Sequence, residues 1–342
     1  MFKKILLFGL LLCFYGLKAQ VDTASISAKL RQQKELGKNF VCLIYKGGKL
    51  VYKKESPDLT AKTQQHVGAM SQWLTAALVM TFVQEGKLSL DDKVSDYIPL
   101  FNKYSKRYIT IKNCLTHNTG IESDFNLSKL FQKSKFKTLE EEAIAYGSKR
   151  EIKTNPGTEF NYSNIGFSLV GRVLEIISKK GFDRIAQDRI LRPLGMRGTT
   201  FTNEDYNSAT DPFMGARSTA NDLTNFMTML MNKGVFNNKQ VLTDSSVKTL
   251  LSLQASPPLK NVPKAAEGFN YAMGSWILEQ DSKGNITSAA GPSFSGTWPM
   301  VDFCRGYTLV VLTENLKNPP AREFYLDLKS VMDDSISPNC AQ

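Results

Sequence analysis

The chain has 342 residues, 42% hydrophobic and 22% charged, so it can bury a sizeable core and is not a disordered protein. Its 43 Lys and Arg exceed its 32 Asp and Glu by 11, but no basic run or basic–aromatic stripe accompanies the excess. This pattern argues against nucleic-acid binding. His66 and His117 are the only histidines, which excludes a zinc site built on several imidazoles. We expect no metal and no cofactor.

The first nineteen residues have the pattern of an export signal. Lys3 and Lys4 precede an apolar run over 5–17, which is short for a membrane span, and Ala19 supplies a small residue before a cleavage point. We therefore expect residues 1–19 to be removed. The mature protein should be periplasmic or secreted, with no membrane span.

Four cysteines remain after that cleavage: Cys42, Cys114, Cys304 and Cys340. They are scattered, and their spacing is not that of a metal site. Export permits disulfides, but the sequence reveals no pairing. Isolated buried thiols are the expectation.

The chain order of predicted elements places strands at both ends and helices between them. Two β-rich arms flank Gly47-Gly48 and predict a hairpin, after an amphipathic stretch over 26–36. The segment over 69–85 has apolar residues on all faces and predicts a buried helix. Further helices are predicted near 140–146, 164–180 and 223–231, then strands up to residue 314 and a closing helix near 321–332.

This order predicts an α/β protein of two lobes. One antiparallel sheet, built from both ends of the chain and flanked by the terminal helices, forms the α/β lobe, over about 20–68 and 268–336. The intervening segment, about 69–267, forms a mostly helical lobe. We treat 20–336 as a single unit and expect a functional site in the cleft between the lobes.

Several long strings then carry a family resemblance. They are EGKLSLDDKVSDYIP, ITIKNCLTHNTGI, PGTEFNYSNIGFSLVGRVLE, LRPLGM and ARSTANDLTNFM. Across about 40–314 the chain resembles the serine β-lactamase and penicillin-binding-protein-like superfamily, closest to the class C β-lactamase and esterase branch. The resemblance implies the two-lobed fold and, in active members, acyl-enzyme chemistry on amides or esters.

The family's Ser-x-x-Lys motif, which supplies a nucleophile and a base one helical turn apart, is degenerate here. The register set by Gly68 and by the Gly86-Lys87-Leu88 string leaves Ala69 at the nucleophile position and Gln72 at the lysine position. Ser71 lies about 200° around the helix from residue 69, and its i+3 partner is Leu74, which cannot accept a proton. Ser71 is therefore interpreted as structural.

The second motif, Tyr-x-Asn, is intact as Tyr162-Ser163-Asn164, whereas the third is not. Where the family has His- or Lys-x-Gly, this chain reads Ser-Ala-Ala-Gly-Pro-Ser over 288–293. In one register Ala289 stands at the cation position and Gly291 is the family glycine. In the other, Ala290 stands at the cation position and Pro292 replaces the glycine. In the first register Pro292 removes an N–H from the oxyanion hole.

The three losses together predict a catalytically inactive member, or pseudoenzyme. Its cleft would bind a peptide-like or peptidoglycan-derived ligand, or a partner, through Gln72, Tyr162, Asn164, Ser293 and Ser295, with Trp298 at the edge. The alternative is an active serine hydrolase (an esterase, a D-Ala-D-Ala peptidase or a β-lactamase-like enzyme) that uses Ser71 or a non-standard site. A third possibility, a basic adhesin for anionic polymers, depends on net charge alone.

Overall fold

The computed structural model describes residues 21–103, 105–123, 134–202, 208–256, 259–314 and 319–340. The export signal predicted over 1–19 lies outside these residues. The helices are α1 Thr23–Gln32, α2 Met70–Val83, α3 Val94–Tyr97, α4 Ile111–Leu115, α5 Leu139–Lys149, α6 Ile165–Ser178, α7 Phe182–Ala186, α8 Ala220–Met231, α9 Asp244–Leu250 and α10 Arg322–Ser335. The strands are β1 Phe40–Lys46, β2 Lys49–Glu55, β3 Gln65–His66, β4 Arg217–Ser218, β5 Val235–Phe236, β6 Lys239–Gln240, β7 Asn270–Tyr271, β8 Trp276–Gln280, β9 Ile286–Ala290, β10 Trp298–Asp302 and β11 Tyr307–Thr313.

Strands from both ends of the chain form one antiparallel sheet, which confirms the predicted fold. The strand order is β2-β1-β11-β10-β9-β8-β7. The strand β1, near the start of the chain, lies beside β11, near its end, with Phe40 opposite Thr313. The sheet strands lie within 40–55 and 270–313, while the exact lobe boundaries remain a prediction.

The two faces of the sheet bury separate cores, because successive side chains of a strand point to opposite faces. The outer face packs against α1 and α10, with Ile26, Leu30 and Leu328 in that core. The inner face packs against the helical lobe, and α2 lies at the centre of this second core. Every residue of α2 except Val83 is buried, as the apolar residues on all of its faces predict.

The C-terminal end of the chain is tied to the sheet by a disulfide that the sequence analysis did not foresee. Cys304, in the turn between β10 and β11, is bonded to Cys340 beyond α10, with their Cα atoms 5.1 Å apart. The expectation of four isolated thiols is therefore wrong for this pair, since α10 brings together residues 36 positions apart in sequence. Cys42 and Cys114 are free and buried, as expected.

No helix within the described ranges is both long enough and apolar enough to cross a bilayer.

Candidate functional site

The first turn of α2 carries no nucleophile at residue 69. Ala69 is the N-cap residue of α2, is buried, and follows Gly68 at φ +51°. A Cβ on Gly68 would lie 2.4 Å from the Ser293 hydroxyl oxygen, so this close approach requires glycine. Ser71 is fully buried, and its Oγ accepts a hydrogen bond of 2.9 Å from the backbone N–H of Ala216. Its contact with the backbone fits a structural role.

The side-chain amide of Gln72 is held by three partners. The backbone N–H of Ser163 donates to Nδ1 of His117 (3.3 Å), so the imidazole proton is assigned to Nε2. That Nε2–H then donates to Gln72 Oε1 at 3.1 Å. The Tyr271 hydroxyl also donates to Oε1 (3.3 Å), while Gln72 Nε2 donates to the Tyr162 hydroxyl. The position therefore requires an acceptor on one side and a donor on the other, which an amide provides.

Burial keeps the titratable groups of this network uncharged at neutral pH. It lowers the pKa of His117 to about 3, and it raises the pKa values of Tyr162 and Tyr271 above their usual range. The His117 ring lies within 6.0 Å, centroid to centroid, of five aromatic rings: Phe160, Tyr162, Phe167, Phe213 and Tyr271. The apolar surroundings explain why charge is disfavoured here.

The structure brings Gln72 and Tyr162 together but turns Asn164 toward a different cluster. Asn164 Nδ2 donates to the Tyr146 hydroxyl (2.8 Å), which itself donates to Glu142 Oε1 (2.7 Å). Glu142 is buried, and that burial, together with Asp211 nearby, raises its pKa to about 7. This cluster holds the asparagine amide beside α5.

The two alanines that could stand at the cation position of the third motif lie on opposite faces of β9. Ala289 belongs to the core on the inner face, whereas Ala290 belongs to the outer core. Gly291 comes next in the chain and lies against the start of α2. A Cβ on Gly291 would lie 3.1 Å from Met70 Sδ. The inward face of Ala289 favours the register in which Ala289 replaces the family's cation, and in that register Pro292 is expected at the oxyanion position.

The serines after Pro292 are buried and bonded within their own turn. Ser293 Oγ lies 3.0 Å from Ser295 Oγ, and the Ser293 N–H donates to Thr297 O at 2.9 Å. Trp298 lies behind the sheet, stacked on Tyr325 with ring centroids 4.4 Å apart. The expectation that Trp298 lines the cleft is wrong, because its position in β10 points it to the outer face.

The sequence alone gave no role in the site to three of its groups: His117, Tyr271 and Glu142. His117 lies in the ITIKNCLTHNTGI string, which gave it no role in the site, and nothing in the sequence marked Tyr271 or Glu142. Tyr271 comes from β7, 199 residues after Gln72, so only the folded chain brings them together. The amphipathic, acid-rich start of α5 gave no sign that Glu142 turns inward.

Among the described residues, one group of three carboxylates has the geometry to hold a cation: Glu279, Asp302 and Asp333. The ammonium of Lys329 already contacts all three, at 2.8, 3.2 and 2.6 Å respectively. Lys329 is itself buried. The group is thus an internal ion-pair network between α10 and the sheet, away from the first turn of α2.

Comparison with protein-family models matches residues 32–329 to the model described as Beta-lactamase. Protein flp of Staphylococcus aureus strain MW2 is 29% identical over 180 residues, covering 49% of this chain and 36% of flp. The matched segment spans about a third of the length of such curated relatives.

Solved structures share the fold over nearly the whole chain. A provisionally named β-lactamase from Bacteroides dorei has a TM-score of 0.80 at 21% identity, covering 92% of this chain and 99% of its own. EstCE1, described as a hydrolase with promiscuous acyltransferase activity, has a TM-score of 0.72 at 17% identity, with coverages of 91% and 99%. A penicillin-binding protein from Bacillus halodurans has a TM-score of 0.69 at 19% identity, with coverages of 90% and 98%.

Proposed function

The chain belongs to the β-lactamase family, and from this premise we propose that it is an exported, catalytically silent member that acts by binding. The observation that carries the proposal is the pairing of Ala69 with Gln72. A methyl group stands where acyl transfer needs a nucleophile, and a hydrogen-bonded amide stands where it needs a base. An amide has no useful basicity at neutral pH.

The surrounding groups do not replace the lost chemistry. His117 has the right residue type for a general base, but its Nδ1 is occupied by the Ser163 N–H and its Nε2 carries the proton. Ser71 is fully buried and is engaged with the backbone. Pro292 offers no N–H to an oxyanion, and the neighbouring Ser293 N–H is used within its own turn.

The ligand class we propose is peptide-like or derived from peptidoglycan. The penicillin-binding protein among the structural neighbours supports this class, since its fold covers 90% of this chain. Gln72, Tyr162 and Ser293 are buried and already bond to one another or to the protein, so a ligand amide must first reach these side chains and then exchange with their internal bonds. Recognition by exchange favours ligands that are themselves rich in amides.

Export is the second part of this proposal. The basic–apolar–small pattern over 1–19 supports it, and so does the Cys304–Cys340 bond, because structural disulfides persist in oxidising compartments. Intact-mass measurement of material recovered from the producing cell's exported fraction should show a chain that begins at or near Gln20. Retention of residues 1–19 in that material would contradict export with cleavage.

The alternative, an active hydrolase, draws support from EstCE1, whose description is that of a hydrolase. A fluorescent penicillin and a fluorophosphonate separate the two functions, with intact mass as the readout. Wild-type protein should show no covalent adduct. The Ser71→Ala variant is the matched control: an adduct on wild type that disappears in this variant would establish Ser71 as the nucleophile and end the pseudoenzyme proposal.

Binding is tested separately with a tripeptide that ends in D-alanyl-D-alanine. Calorimetry on wild type should detect its binding, and Tyr162→Phe, which removes the hydroxyl next to Gln72, should weaken it. If the protein forms no adduct and does not bind this peptide, the proposed inactivity stands and the proposed ligand class is wrong.

A further inference from the structure

One edge of the main sheet is open and the other is covered. The short strand β7 exchanges backbone hydrogen bonds with Gln254 and Ala255 on its far side. At the opposite edge β2 pairs only with β1 among the strands of the described residues. Alternate residues of β2, Lys49–Glu55, therefore present backbone donors and acceptors to an additional strand.

A groove of about 320 Å³ runs beside this edge on the inner face of the sheet. Its floor is apolar, formed by Leu43, Tyr45 and Leu50, and Leu50 is 47% exposed. Its rim is polar and basic, with Lys53 and Lys62 among the lining residues. An extended peptide that pairs with β2 would place alternate side chains in this groove, since strand side chains alternate between faces.

The positive charge of the β2 edge favours an acidic occupant. β2 contains Lys49, Lys53 and Lys54, all exposed, and Lys46 lies across the hairpin. The strand's one carboxylate, Glu55, is already paired with Lys53 (2.7 Å) and also accepts the Ala61 N–H. Lysines at an edge discourage pairing with like-charged strands, and the same charges attract an acidic one.

We propose that β2 and its groove dock an extended, acidic segment of a partner protein by strand addition. A second copy of this chain is the less suitable occupant, because the chain carries a formal charge of +11, or +8 without residues 1–19, and each β2 brings three lysines against one glutamate. The surface is separate from the cleft at α2, so this inference goes beyond the proposed function and does not depend on it.

The probe for this docking is a synthetic seven-residue peptide that alternates Glu with Val. Two comparison peptides replace every Glu by Lys, or carry N-methyl groups on alternate backbone amides, which blocks strand pairing without changing charge. Binding is measured at low salt, and hydrogen–deuterium exchange locates it. We expect the acidic peptide alone to bind, with added protection at Lys49–Glu55 and weakening as salt rises.

Charge reversal tests the assignment to this edge. Lys53→Glu/Lys54→Glu should weaken binding of the acidic peptide by about ten-fold or more. Lys239→Glu/Lys283→Glu is the matched control, since it makes the same change of charge on exposed residues of other hairpins and should leave affinity within about two-fold.

Four results would overturn the proposal: no binding of the acidic peptide, equal binding of the N-methylated peptide, equal weakening by the control variant, or protection that appears outside β2. Concentration-dependent dimerisation of wild type with protection at β2 would identify a second copy as the occupant and would also overturn it.

Discussion

At the scale of single residues, the hydrogen bonds at position 72 show how a buried amide is accommodated there. The amide of Gln72 meets two donors, His117 Nε2–H and the Tyr271 hydroxyl, at its oxygen, and it donates to Tyr162. Two donors aimed at one side chain would favour the neutral form of a lysine placed there, as would burial. A neutral lysine is a base, so the surroundings that suit the glutamine would also suit a catalytic lysine.

We therefore expect the double variant Ala69→Ser/Gln72→Lys to be acylated slowly by a fluorescent penicillin. Each single variant should fail, because one lacks a base and the other lacks a nucleophile. Intact mass after incubation detects the adduct, and peptide mapping should place it at residue 69. A folded double variant that never forms the adduct would mean that the rest of the site is too altered for acyl transfer.

The buried titratable groups predict two opposing effects of pH on the free energy of unfolding. His117 has a folded pKa of about 3 against an ordinary 6.5, so the unfolded state binds the extra proton and stability is lost as pH falls below about 6.5. Glu142 has a folded pKa of about 7 against 4.5, so the folded state holds the extra proton and stability is lost as pH rises above about 4.5. Between pH 4.5 and 6.5 the two slopes, each about 1.4 kcal/mol per pH unit, oppose each other.

Glu142→Gln should therefore reveal the slope of His117. Relative to wild type, this variant should lose about 3 kcal/mol more stability on going from pH 6.5 to 4.5, as measured by urea unfolding. Glu141→Gln, a change at the exposed neighbouring position, is the control and should follow wild type. Parallel curves for wild type and Glu142→Gln would contradict the assigned protonation of Glu142.

At the scale of elements, the loop between β9 and β10 is where we expect the family's oxyanion donor. Gly291 reaches the first turn of α2, and its N–H is bonded to Pro299 O (2.9 Å). The next position is Pro292, which has no N–H to give. Because one oxyanion donor is worth about a hundred-fold in rate, this residue should limit any restored chemistry.

Pro292→Gly, added to Ala69→Ser/Gln72→Lys, should raise the acylation rate at least about ten-fold over the double variant. Pro156→Gly in the same background, a proline in another loop, controls for added flexibility. The rate of adduct formation is followed by time-resolved intact mass. Equal rates with both glycines would show that the oxyanion site is limited by something other than the missing N–H.

The bond between Cys304 and Cys340 fixes α10 against the sheet and supports a second prediction at this scale. A closed loop of 36 residues restricts the unfolded chain, and its loss should cost about 4 kcal/mol. Cys340→Ser should lower stability by this order in urea unfolding. Reductant should destabilise wild type toward the same value and leave Cys340→Ser unchanged; an effect of reductant on the variant would point to the free thiols instead.

At the scale of the whole molecule, the two cores divide structural and functional roles. The outer core, between the sheet and the terminal helices, contains the ion-pair network of Lys329 and adjoins the disulfide. The inner core contains α2, on which the sequence places the family's reactive positions. Substitutions at residues 69, 72 and 289 therefore alter packing in the inner core only. The outer core, between the sheet and its covering helices, is unaffected by them.

The sequence alone determined the fold and predicted which residues stand at the family's reactive positions. Apolar residues around all faces of 70–82 predict a buried helix, and local strand patterns at both ends predict the antiparallel sheet, because both depend on short-range periodicity. The long family strings fixed the register that places Ala69 and Gln72 at the reactive positions. These features can be predicted because they depend on residues that are close together in the sequence.

The tertiary structure decided which groups surround those positions. The contact of Tyr271 with Gln72 joins residues 199 positions apart, and the Cys304–Cys340 bond depends on the path of α10. The register of the third motif is open in sequence, and only the structure shows that Ala289 occupies the inner face of β9. Such contacts follow from packing between distant elements, whose relative placement no local pattern specifies.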